Sequence, residues 1–156
     1  GYADSKRVKQ ELRETGIIVL ENEVTHWGEF QIIGLDHMPA DSQSVDMHST
    51  EQHATIKTIL PTLNIDKEKP SILLHHYPVG IKYANQQGVD LYLAGHTHGG
   101  QLFPVNYIAK LMFHYNKGLY EYNGTNMYVS QGTGTFGPPL RVGTRSEIAV
   151  IILKTK

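Results

Sequence analysis

Two short apolar segments of the chain stop abruptly at histidine. The run Asp90–Ala94 leads into the glycine-rich segment Gly95–Gln101, and the run Ser71–His75 leads into His76 and Pro78. Apolar runs of this length are typical of buried strands in a parallel sheet, whose carboxyl ends meet at one edge and form ligand sites there. The sequence therefore predicts an α/β fold with two histidine-bearing loops at the same edge of a sheet.

The spacing of these histidines limits which of them can bind a common ligand. His96 and His98 are two residues apart, so in an extended or tightly turned segment they project to one side and can converge on one metal or on two adjacent ones. His75 and His76 are neighbours in a strand, so at most one of them faces the same cleft. The alternative is that these are loop histidines without a ligand, and a second strand that ends in histidine makes this alternative weaker.

Composition excludes several other kinds of site. The chain has 156 residues, which is typical of one domain, and its formal net charge of -1 gives no attraction for a nucleic acid. It has no cysteine, so a disulfide framework, a thiolate metal site and a cysteine nucleophile are excluded. No apolar run approaches the roughly 20 residues of a membrane helix. We expect the chain to be soluble, and any bound metal to use histidine with carboxylates, amides or water.

The rest of the pattern predicts a mixed order of helices and strands. We expect helices at Asp4–Glu14, Thr50–Leu60 and Val79–Gln87, a loop over Asp36–Ser49, and strands at Ile17–Leu20, Phe30–Leu35, Leu119–Tyr122, Met127–Ser130 and Ile148–Leu153. Asn123 and Gly124 indicate a hairpin, with a loop longer than two residues. The last strand is expected in the centre of the sheet.

Three segments together resemble the calcineurin-like metallophosphoesterases, in particular a bacterial branch often tethered to membranes. They are Gly95–Gln101, His76–Pro78 and Gly132–Arg141. The resemblance implies a four-layer α/β/β/α sandwich. Residues 1–156 would then form a single partial domain, the C-terminal half of that sandwich.

The resemblance also implies a ligand set and a reaction. His76, two residues before proline, and His96 would share one metal ion. His98 would bind a second metal ion beside the first. The two divalent ions, of which Mn, Fe, Zn and Ni are all candidates, would clamp a phosphate mono- or diester and activate the water that hydrolyses it. No residue of this chain is assigned a catalytic role.

Part of the family's site is expected to lie outside this segment. The family's first three blocks are Asp-x-His, Gly-Asp-x-x-Asp and Gly-Asn-His followed by Asp or Glu, and none of them stands at the corresponding place here. They carry the carboxylate that bridges the metals and the histidine that protonates the leaving group. We therefore expect the isolated chain to bind metal weakly, to be inactive, and to bury its exposed apolar faces by forming homo-oligomers. The longer protein is expected in the cytoplasm or at a membrane.

Several features remain open from sequence alone. The alternative function is a non-catalytic metal-binding or interaction module that keeps the phosphoesterase fold. The Gly132–Pro139 loop could expose amides to a phosphate, although a structural loop is the favoured interpretation. Arg141 and Arg145 could meet a phosphate or lie at solvated strand ends. The histidines without a spaced partner are expected to be surface or packing residues: His26, His37, His48 and His114.

Overall fold

A computed structural model describes residues 4–43 and 54–154, and these form one six-stranded sheet with helices. The helices are α1 (Ser5–Glu14), α2 (Ile56–Ile59), α3 (Ile81–Gln86) and α4 (Val105–Met112), with short 3-10 turns at Leu60–Thr62 and His98–Gly100. The strands are β1 (Glu23–Trp27), β2 (Phe30–Gly34), β3 (Ser71–Leu74), β4 (Leu91–Ala94), β5 (Gly118–Tyr122) and β6 (Thr125–Val129). The predicted α/β class is confirmed.

The centre of the sheet is parallel and its edges are antiparallel. The strand order is β1-β2-β3-β4-β6-β5, in which β2, β3, β4 and β6 run parallel while the hairpin partners β1 and β5 close the two edges. The hairpin predicted at Asn123 and Gly124 is present. Its loop has two residues rather than more, because Tyr122 pairs with Thr125 and both turn residues adopt positive φ.

One face of the sheet carries the core. Ile33, Leu73, Tyr92 and Met127 come from the four parallel strands and are fully buried. Helices α2 and α3 supply further members of the same cluster, including Ile56 and Ile81. On the opposite face an open cavity of about 440 Å³ is lined by Ile18, Leu20, Leu74 and Leu93, among others. The described residues thus supply one sheet, as a part of a sandwich would.

Two predicted strands are wrong. Ile17–Leu20 is not in the sheet; Leu20 lies across Gly34, where an added Cβ would collide with the Leu20 side chain, and the edge strand begins only at Glu23. The run Ile148–Leu153 lies outside the sheet and is exposed, with Ile148 and Val150 more than four-fifths accessible. β-branched residues favour an extended backbone, but a strand also needs a partner that the described residues do not provide here.

The helices agree with the sequence except at two places. Helix α1 begins after Asp4, whose carboxylate accepts hydrogen bonds from the amides of Lys6 and Arg7, and α3 lies within its predicted range. The predicted start at Thr50 lies outside the described residues; within them α2 begins at Ile56 with Thr55 as its N-cap. Helix α4 was not predicted. Apolar residues recur in it at helical spacing (Val105, Ile108 and Met112), but they are exposed, and its buried residue is the small Ala109.

A buried amide is expected to fix the connection that enters β3. The side chain of Gln31 is 1% exposed, and its Nε2 and Oε1 atoms hydrogen-bond to the carbonyl and amide of Asp66 at 2.7 and 2.8 Å. Replacing Gln31 with Leu should lower the free energy of unfolding by about 1–3 kcal/mol, because the part-buried carbonyl and amide of Asp66 would both lose their side-chain partner. Urea denaturation should show a much smaller loss for Gln10→Leu on the exposed side of α1. Equal losses would contradict this role.

Candidate metal centre

All four parallel strands end at one edge of the sheet, and each delivers a polar residue there. Beyond the strand ends lie His37 after β2, His76 after β3, His96 after β4 and Gln131 after β6. A shared strand direction, rather than closeness in sequence, brings these side chains together. The edge is the candidate functional site.

His76 and His96 form the closest pair at this edge. The Nδ1 atom of His96 lies 3.2 Å from the Nε2 atom of His76, and the two rings meet edge-on with centroids 5.0 Å apart. The loops that carry them are joined by a hydrogen bond of 3.0 Å from the Gly95 amide to the His76 carbonyl. Two imidazoles, on loops after separate strands, are therefore within hydrogen-bond distance of each other.

This separation suits two ligands of a single cation. Nitrogens that bind one tetrahedral zinc ion at about 2.1 Å lie about 3.4 Å from each other. The pair thus fits half of a metal site. Within residues 4–43 and 54–154, however, no group of three or more histidine, aspartate or glutamate side chains is placed to hold a metal. The remaining ligands are not supplied by this part of the chain as it is arranged here.

His75, the neighbour of His76, is buried beneath the site. It is 4% exposed, its Nε2 accepts a hydrogen bond of 3.4 Å from the Met38 amide, and its Nδ1 lies 2.8 Å from both the Tyr77 carbonyl and the Tyr92 hydroxyl. Since Nε2 accepts, Nδ1 carries the proton in the neutral ring. Burial lowers the pKa of His75 to about 4. His75 therefore anchors the turn that presents His76.

The loop after β4 has a strained backbone. His96, His98 and Gln101 have φ angles of 72°, 49° and 46°, a region that residues with a Cβ seldom adopt. Gly100, which lies between His98 and Gln101, has a φ of 82°. A Cβ at this position would collide with the Asn106 Cα in α4. Only glycine allows this close approach. Strain of this kind persists where the surrounding contacts fix the conformation, and it is frequent at functional sites.

His98 lies beside Arg141 rather than in the His76–His96 pair. The Nη2 atom of Arg141 is 3.4 Å from the Nδ1 of His98, and its Nη1 donates to the His98 carbonyl at 2.9 Å. Burial lowers the pKa of His98, and the positive charge of Arg141 lowers it further. Both effects favour the neutral ring, which is the form that can bind a metal. Its assignment as the ligand of a second metal stays a prediction.

The Gly132–Pro139 loop is attached to the loop after β4. The side chain of Gln101 donates to the carbonyl of Phe136 at 2.8 Å and accepts from the Phe136 amide. The carbonyls of Gly132 and Gly134 face Arg141, at 3.2 and 2.7 Å from its Nη2. Carbonyls attract cations, whereas an anion cradle needs amides. These contacts favour the structural interpretation of the loop.

His37 packs beside the candidate site, and its sequence context predicts a surface or packing residue. Its ring centroid lies 6.4 Å from that of His76 and 6.5 Å from that of His96. The signal that could have found it is its position three residues after the end of β2, at the same edge as the other histidines. Tyr77 and Phe113 complete an aromatic wall against His96, with centroids at 4.6 and 5.6 Å.

Curated relatives of the chain carry a common name. An uncharacterized metallophosphoesterase of Helicobacter pylori is 37% identical over 148 residues, and one of Aquifex aeolicus is 36% identical over 148 residues. Each alignment covers 93% of this chain. The chain belongs to the metallophosphoesterase family. The resemblance carried by the three motifs is thereby confirmed.

The match covers only part of each metallophosphoesterase relative. The chain spans 38% of the Helicobacter protein and 54% of the Aquifex protein. A zebrafish (Danio rerio) protein named as a transmembrane protein with metallophosphoesterase domain is 50% identical over 90 residues, which are 56% of this chain and 21% of that protein. No protein-family model matches the chain, and no solved structure matches it at a significant level.

Burial of His75 should make the stability of this metallophosphoesterase chain depend on pH. Its pKa is about 4 when folded and about 6.5 when unfolded, so between these values the unfolded chain binds the extra proton. The contribution of the neutral, buried His75 to the free energy of unfolding is complete above about pH 6.5. It is lost as the pH falls towards 4, a change on the order of 3 kcal/mol. Urea denaturation at a series of pH values should show this decline.

The matched control is an exposed histidine in the sheet. The variant His75→Asn should flatten the decline of stability between pH 6.5 and 4, whereas His26→Asn, at an exposed position of β1, should leave it unchanged. Parallel pH profiles for wild type and His75→Asn would contradict the account.

Proposed function

We propose that the chain is the C-terminal part of a metal-dependent phosphoesterase domain that hydrolyses phosphate mono- or diesters. The observation that carries the proposal is the 3.2 Å separation between the ring nitrogens of His76 and His96, on loops after neighbouring parallel strands. The names of the relatives support divalent-metal dependence and phosphate-ester substrates for the family.

In this proposal each histidine has a defined task. His76 and His96 would hold one divalent ion between them, and His98 would hold a second. Ions bound there supply charge that polarises a phosphoryl oxygen and lowers the pKa of water. The aromatic wall of Tyr77 and Phe113 restricts the freedom of the His96 ring and keeps water from one side of it.

The carboxylates that such a site needs would come from a preceding part of a longer protein. Neutral imidazoles cannot balance the charge of two divalent cations, and the described residues bring no carboxylate into a ligand cluster with these histidines. This supports the expectation that the isolated chain binds metal weakly and is inactive. The activity of a longer protein distinguishes the proposal from the alternative of a non-catalytic module. In that alternative the longer protein would be inactive as well.

A membrane location is proposed only for the longer protein. Two relatives, from zebrafish and cattle (Bos taurus), are named as transmembrane proteins with a metallophosphoesterase domain. None of the helices within the described residues is both long and apolar enough to cross a bilayer. Any anchor would therefore have to lie elsewhere than in these helices.

Metal content tests the histidine pair. Plasma mass spectrometry of the purified chain, incubated with manganese or zinc and then desalted, should find less than two metals per chain. His76→Ala and His96→Ala should each weaken binding by about 10–100-fold, and the exposed His114→Ala should not. The proposal fails at this pair if His96→Ala binds as much metal as His114→Ala.

Hydrolysis by a longer protein tests the reaction itself. A protein that adds the preceding part of the domain should hydrolyse bis-(p-nitrophenyl) phosphate in a chelator-sensitive manner, and His96→Ala should remove this activity while His114→Ala keeps it. An inactive longer protein that still binds metal at His76 and His96 would favour the non-catalytic module.

A further inference from the structure

We propose that Arg141 is a positioning residue that aims the imidazole of His98 by joining the loop after β4 to the loop after β6. The inference rests on the proposed function, because it gives a task to a predicted metal ligand. From sequence, Arg141 could meet a phosphate or lie at a solvated strand end; in the structure its guanidinium faces backbone carbonyls.

The guanidinium donates in two directions at once. Its Nη1 atom donates to the His98 carbonyl at 2.9 Å, and its Nη2 atom donates to the carbonyls of Gln131 and Gly134, each at 2.7 Å. The planar fork of arginine fixes the angle between these bonds, which a lysine ammonium cannot do. The two loops are therefore held at a defined separation.

The guanidinium of Arg141 contacts backbone carbonyls and not a carboxylate. Among residues 4–43 and 54–154, no ion pair joins Arg141 to an aspartate or glutamate. Arg141 is half-buried, and its Nε atom is buried without a hydrogen-bond partner. Its Nη atoms make the three short contacts, which replace water around the charge. A lysine ammonium could not reproduce this set, because it lacks the planar fork.

Arg141 also lies beside the ring of His98. Its Nη2 atom is 3.4 Å from the His98 Nδ1 and 2.7 Å from the carbonyls of Gln131 and Gly134. Because the guanidinium is fixed by these carbonyls, the Nδ1 side of the ring has a defined environment. We therefore expect one ring tautomer of His98 to be favoured.

The backbone of His98 explains why such a clamp is needed. A residue with a φ angle of 49° is in a sparsely populated region, and it stays there only if its surroundings hold it. Arg141 holds the His98 carbonyl, and the Gln101 side chain holds the next turn against Phe136. Without the guanidinium, the loop can relax and the ring of His98 turns with it.

Nitrogen NMR of the histidine rings tests the proposal in the metal-free chain. Long-range ¹H–¹⁵N spectra should show His98 as a single tautomer. Arg141→Lys should move the His98 ring shifts towards values averaged over both tautomers, because the fork is lost while the charge is kept. The matched control Arg145→Lys, at an exposed arginine four residues on, should leave them unchanged. Equal His98 shifts in the two variants would overturn the proposal.

A second measurement on the wild-type chain covers the case in which Arg141→Lys does not fold. Rotation about the Nε–Cζ bond of a clamped guanidinium is slow, so Arg141 should give separate Nη1 and Nη2 resonances while the exposed Arg145 gives averaged ones. Averaged Nη resonances for Arg141 would likewise overturn the proposal.

Zinc titration separates this inference from the proposed function. Arg141→Lys should bind zinc about 10–100-fold more weakly at His98 than Arg145→Lys does. If zinc leaves the His98 ring of the wild-type chain unchanged, the predicted role of His98 as a ligand fails. The tautomer and the Nη resonances of the metal-free chain then still decide whether Arg141 positions the ring.

Discussion

The parallel direction of β2, β3, β4 and β6 is the constraint on which the candidate site depends. Because these strands share a direction and neighbouring positions, the residues that follow them are brought to one edge although they are far apart in sequence. His76 and His96 are twenty residues apart, yet their ring nitrogens lie at a distance suited to one cation. The sheet is thus a rigid support that sets the ligand spacing, and the loops need only to turn the rings inward.

The loops turn the histidine rings inward at a conformational cost, which nearby side-chain contacts offset. Left-handed conformations at His96 and His98 are held by the Tyr77 and Phe113 rings on one side, and by Arg141 with Gln101 on the other. The buried His75 contributes beneath the site by holding the turn after β3. Rigid elements set the positions, and buried polar side chains fix the orientations.

Sequence patterns could predict the strands that end at the site but not the complete neighbourhood of the site. The runs before His76 and His96 are short and apolar, so their strands and parallel pairing follow from local chemistry. Ile17–Leu20 and Ile148–Leu153 have the same local chemistry and lie outside the sheet, because pairing depends on partners that no local pattern specifies.

The contacts among side chains could be predicted least. The positions of His37 and Arg141 near the site depend on tertiary structure. His37 follows the end of β2 at the same edge of the sheet, and Arg141 contacts both the loop after β4 and the loop after β6. Helix α4 shows a related limit: its apolar residues recur at helical spacing, yet they are exposed and Ala109 is buried, so the periodicity does not say which side packs inward.

The central claim is that His76 and His96 bind one metal ion together, and nitrogen NMR during a zinc titration tests it most directly. The account predicts that the ring nitrogens of His76 and His96 change together, with one common midpoint, at lower zinc concentrations than those of the exposed His26 and His114. Separate midpoints for His76 and His96 would contradict it, and so would exposed histidines whose ring nitrogens shift at lower zinc concentrations than the pair.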